Sequence, residues 1–106
     1  MTYQSLAPTE VIAMPRTKRA SAMIRLATVE GGLVWAVEAQ RHYGDFLGFG
    51  EPLRVRDGKP DRVAPTRQAA IEAASARIRR GINEPDINAW LDALAGAQPD
   101  LFGEAA

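Results

Sequence analysis

From Ser21 onward apolar side chains fall on every second position. Ala22, Ile24 and Leu26 alternate with Met23 and Arg25, the period of a strand that buries one face. Leu33, Trp35, Val37 and Ala39 repeat the pattern against Glu38 and Gln40. Glu30, Gly31 and Gly32 separate the two runs. Glycine accepts the positive φ of a tight turn, so the pair of runs predicts a β-hairpin. The next stretch, YGDFLGFGEPLRVRDGKP, carries Phe46, Phe49, Leu53 and Val55. It predicts a third strand, irregular near Gly48 and Gly50 because glycine marks bulges and bends. Asp57-Gly58 then signals a turn.

Beyond Pro65 the period lengthens. Thr66 is a good N-cap, and Ala70, Ile71, Ala74, Ile78 and Ile82 recur at helical spacing. Gly81 and Asn83 are suited to end that helix. Pro85 suits the first turn of a second one, in which Ile87, Trp90, Leu91 and Leu94 stand at i, i+3, i+4 and i+7. Gly96 and Pro99 close it. Residues 1–19 contain Pro8 and Pro15 and show no clear period. They read as a partly disordered N-terminal extension with a short ordered piece at Val11–Met14. The expected fold class is α+β, a single small domain over residues 20–95. It comprises a three-stranded antiparallel sheet followed by two helices (β-β-β-α-α), with the helices on one face. Residues 96–106 form a flexible C-terminal tail.

Composition agrees with a single folded unit. The chain has 106 residues, 46% of them apolar and 25% charged, the balance of an ordinary globular domain with one modest core. The absence of cysteine excludes disulfides and thiolate metal sites. No apolar run approaches the roughly 20 residues of a membrane span, and prolines interrupt any signal-peptide pattern. The expectation is a cytoplasmic protein, bacterial in its Ala/Arg-rich composition, with no membrane partner.

A net charge of zero conceals segregation. Residues 1–50 carry five Lys/Arg and four Asp/Glu; residues 51–80 carry eight and four; residues 81–106 carry none and five. A basic middle therefore precedes an acidic end. Arg67, Arg77, Arg79 and Arg80 lie largely off the apolar stripe of the first helix. They are the candidates for contact with nucleic-acid phosphates.

Catalytic patterns are hard to find. His42 is the only histidine, which rules out a multi-histidine metal site and reads as a strand-end residue. Ser5, Ser21 and Ser75 have no histidine or lysine at a suggestive spacing. GDFLGFG lacks the Lys-Ser/Thr and the strand–turn–helix setting of a phosphate loop. The expectation is a non-enzymatic protein without cofactor or metal.

One apolar pair stands outside all these patterns. Leu101 and Phe102 lie among Pro99, Asp100, Gly103 and Glu104, beyond the last predicted helix. The stretch Gln98-Pro99-Asp100-Leu101-Phe102 resembles the Q-x-[S/D]-L-F peptide by which bacterial replication and repair proteins bind the sliding clamp of DNA polymerase III. The resemblance implies that Gln98 hydrogen-bonds the edge of the clamp groove and Asp100 takes the small polar position. Leu101 and Phe102 would fill the hydrophobic pocket, while Pro99 departs from the leucine often found there. It covers five residues and implies nothing about the fold. It suggests an accessory protein tethered to the clamp, of a kind suited to a mobile element. Three alternatives stand beside it: a domain that binds nucleic acid through the basic helix, an interaction or inhibitor module using an open sheet edge, and a Leu-Phe pair folded back beside Trp90.

Overall fold

The computed structural model describes residues 2–45, 47–60 and 62–96. Its centre is the expected hairpin, β3 (Ala20–Val29) and β4 (Gly32–Arg41), in continuous antiparallel register from Ala20↔Arg41 to Val29↔Gly32. The turn is glycine-dependent as read: Gly31 has φ 91° and Gly32 has φ 150°. A Cβ on Gly32 would also collide with the backbone carbonyl of Ala64. Alternation sends Ala22, Ile24, Leu26, Val37 and Ala39 into the core, all buried, with Trp35 packed against them.

Helices α1 (Arg67–Gly81) and α2 (Pro85–Gly96) cover that face. The Thr66 hydroxyl accepts from the Ala69 amide, as an N-cap should. Ala70, Ile71, Ala74 and Ile78 of α1 and Ile87 and Leu91 of α2 are the buried helical contribution. Gly81 ends α1 against the Phe49 ring; an added Cβ there would lie 2.6 Å from Phe49 Cζ. Sequence order and helical boundaries thus follow the predicted pattern, and the α+β class holds.

The sheet is larger than expected. Rather than three strands, the described residues form eight short or long strand segments in two sheets, mostly antiparallel in their pairing. The predicted third strand is broken. Its first part, β5 (Leu47–Gly50), pairs with the end of β4, with Phe49 opposite Ala39. Its second part, β6 (Arg54–Arg56), leaves for another sheet. Pro52 lies between them, and proline cannot donate to a ladder, so the chain exits there. Phe46 lies outside the described residues.

The stretch 1–19 is not merely an extension. It contributes β1 (Tyr3–Ser5) and β2 (Glu10–Ala13). β2 pairs with β3, directs Ile12 toward the main core and leads to Met14, which is buried. β2 falls on the short ordered piece expected at Val11–Met14, one residue earlier, and its flanking prolines are compatible with an edge position. β1 joins β6 and β7 (Lys59–Pro60) in the small sheet, ordered β1-β6-β7, with a turn at Asp57 (φ 51°) and Gly58 (φ 74°).

The outer edge of β4 is shared. β5 covers its end, and β8 (Val63–Ala64) covers its start through Leu33↔Ala64 and Val34↔Val63. Between them the Glu51 amide donates to the Val37 carbonyl and the Trp35 amide to that of Arg62, each at 2.9 Å. The central strand therefore keeps its backbone satisfied although no single partner spans it. On the opposite face of the large sheet Ala27, Val34, Ala36 and Leu53 make a second, smaller core with Leu6 and Val29 beside it.

Candidate functional site

Of the predicted basic surface, three arginines are already paired. Arg67 meets Glu10 as a fork, Nε to Oε1 at 2.8 Å and Nη2 to Oε2 at 2.7 Å. These hydrogen bonds hold the Glu10 carboxyl below its ordinary range, against a smaller opposing push from partial burial. Arg77 donates through Nε to Glu51 Oε2 at 2.8 Å and lies 4.4 Å from the Phe49 ring centroid. Arg79 donates to Asp92 at 2.8 Å. Arg80 is exposed in the last turn, where a cation favours the helix dipole. The four are not gathered into one surface. Each paired arginine ties α1 to a different neighbour: β2, the connection after β5, and α2.

Glu51 closes the gap in the edge of β4. It receives Arg77, and Arg62 Nε stands 3.8 Å from its other oxygen. Arg62 also donates to the carbonyls of Trp35 and Pro52, and Arg25 Nη2 to that of Glu51. This cluster is architectural: three guanidiniums and one carboxylate fill the space between β5 and β8.

The residue that the pattern of the sequence did not disclose is Glu84. It is fully buried, the one buried charged residue among those described. Its Oε1 accepts from the amides of Asp86 (2.7 Å) and Ile87 (3.0 Å), capping α2. Its Oε2 accepts from Arg19 Nε and the Tyr43 hydroxyl, each at 3.2 Å. The Arg19 guanidinium lies 4.4 Å and that of Arg41 5.5 Å from the Tyr43 ring centroid. Glutamate is an unusual N-cap, and its partners are far off in sequence, so no local signal marked it. Arg19, in the connection between β2 and β3, belongs to this cluster, and neighbouring Thr17 donates to Asp86 at 2.8 Å. His42 directly follows β4, as read, and a ring nitrogen lies 3.2 Å from Ser21 Oγ.

Of the recesses that adjoin these elements, two border basic side chains. One, about 350 Å³, runs between α1 and α2, with Ile71, Ala76, Leu91 and Ala95 as its apolar lining. The other, about 310 Å³, is lined by Arg16, Thr17, Lys18 and His42. Among the described residues no three His, Cys, Asp or Glu side chains converge as a metal site would need. Nor is any helix among them long and apolar enough to cross a membrane.

Gln98, Asp100, Leu101 and Phe102 lie outside the described residues; α2 reaches Gly96, and the motif begins two positions later. No family model, no curated protein and no solved structure matches the chain.

Proposed function

We propose that this is a non-enzymatic accessory protein that binds the bacterial replication clamp through Gln98–Phe102. The observation that carries the reading is the position of the motif. Buried hydrophobic residues run from Met14 to Leu91, Leu94 packs against them, and α2 ends at Gly96. Gln98-Pro99-Asp100-Leu101-Phe102 then follows at once, beyond the helix that completes the described core. An extended peptide placed after the last helix is suited to enter a pocket on another protein. Burial of two large apolar side chains contributes about 2–3 kcal/mol each, enough with a few hydrogen bonds for roughly micromolar affinity.

The reading assigns no catalytic residue and no cofactor. It is favoured over contact with nucleic acid through α1 because Arg67, Arg77 and Arg79 already face carboxylates. The test is titration of the labelled full-length chain with a bacterial sliding clamp, beside a Leu101→Ala/Phe102→Ala variant. Saturable micromolar binding, lost in the variant whose thermal transition is unchanged, supports the tether. A variant that instead melts several degrees lower places the pair on its own domain and sinks the proposal.

A further inference from the structure

At the end of the large sheet opposite the β3–β4 turn, the loop between β2 and β3 meets the chain leaving β4. The His42 amide donates to the Arg19 carbonyl at 2.8 Å and joins the two segments. Together they present Arg16, Lys18 and Arg19 from one side and Arg41 and His42 from the other.

Three observations make this more than a charged surface. First, the loop is held rigidly. The Thr17 hydroxyl accepts from the amides of Arg19 (3.1 Å) and Ala20 (3.0 Å) and donates to Asp86 Oδ2 at 2.8 Å. Second, Arg19 is oriented from behind. Buried Glu84 takes its Nε and the Tyr43 ring supports its plane, while the side chain remains 50% exposed. A guanidinium fixed through Nε keeps its terminal nitrogens for an outside acceptor. Third, the adjoining recess is lined by Arg16, Thr17, Lys18 and His42, without a carboxylate. Among the described residues neither Arg16 nor Lys18 forms an ion pair.

We infer that this end of the sheet binds the phosphate backbone of nucleic acid without reading its sequence. The lining side chains supply donors and positive charge and no carboxylate, which matches a ligand that presents only acceptors. A single phosphate would need fewer cations than two segments bring together; successive phosphates along a strand use them all. The Tyr43 ring is engaged by two guanidiniums, so the contact is electrostatic rather than a base-stacking platform. Asp86 and Asp45 lie at the margin, the first held by Thr17 and the second approached by Arg41 through its carbonyl. The site is independent of the C-terminal motif.

The test is anisotropy of fluorescein-labelled single-stranded and duplex DNA with the full-length chain, from 50 to 300 mM NaCl. The expected result is binding that weakens linearly on a log–log salt plot. Arg16→Glu/Lys18→Glu should weaken it at least about tenfold and reduce the slope by about two. Among the described residues neither side chain has an ion-pair partner to lose, so circular dichroism should show the double variant folded. An Arg79→Glu/Arg80→Glu control should retain most of the affinity, and Leu101→Ala/Phe102→Ala all of it. No binding at 50 mM salt overturns the proposal, as does an unchanged affinity in the Arg16/Lys18 variant. Equally tight binding of poly-glutamate would also overturn it, by pointing to an acidic protein partner.

Discussion

Glu84 shows how much one side chain can be asked to do. A carboxylate with no exposure is costly unless every lone pair is used. Here two backbone amides, one guanidinium and one phenol use them. It both starts α2 and fixes the end of the sheet where Arg19 and Tyr43 meet. Replacement by alanine removes the cap and leaves buried amides unsatisfied. Glu84→Ala should therefore cost about 2–4 kcal/mol, measured by urea denaturation, with Arg19 partly compensated by its contact with water. Glu84→Gln keeps an acceptor for the amides and should lose about half as much. A loss below about 0.5 kcal/mol in both would show that water replaces the carboxylate freely.

Among the elements, β2 depends most on its neighbours. It is four residues long, carries one outer edge of the sheet, and is joined to the start of α1 through Glu10 and Arg67. The carboxyl of Glu10 titrates below its ordinary value of 4.5 because Arg67 hydrogen-bonds the charged form. A depressed folded value stabilises above the ordinary one and is lost as pH falls through the folded one. Glu10→Gln should thus be less stable than the parent at neutral pH, and the two curves should converge on acidification. The gap should be small and shrink in 1 M NaCl, since both partners are more than a third exposed. A gap that widens below pH 4 would contradict the pairing. Such dependence also explains what the sequence disclosed. β3, β4, α1 and α2 carry their own period, turn glycines, the Thr66 cap and Pro85 in the first turn of α2, so local pattern was sufficient. β1 and β8 have three and two residues and no period of their own, and β2 was legible only as a short ordered piece; pairing with distant strands makes all three. The same holds for the arginines. Position on a helix face was legible, but the carboxylates opposite Arg67, Arg77 and Arg79 lie on other elements and were not.

At the scale of the molecule the large sheet is buried on both sides, unequally. The helical side holds most of the apolar volume, while Ala27, Val34, Ala36 and Leu53 form a thin second core on the other side, with Leu6 and Val29 beside it. Leu53 is the largest residue of that cluster, and the Leu6 amide donates to its carbonyl at 2.9 Å. Leu53→Ala should cost about 2–3 kcal/mol. Hydrogen exchange should show where: amides of residues 3–5 and 54–56 should lose protection before those of β3 and β4, because the small sheet opens as a separate unit. Uniform loss across the chain would mean that the two cores unfold together. The pairing of Tyr3–Ser5 with Arg54–Arg56 has a further consequence, in time. During synthesis at roughly 5–20 residues per second, β1 leaves the ribosome roughly 3–10 s before its partner is made. For that interval it is an unpaired strand beside a hairpin that can already close. With three residues, all exposed even when folded, β1 offers nascent neighbours little to hold.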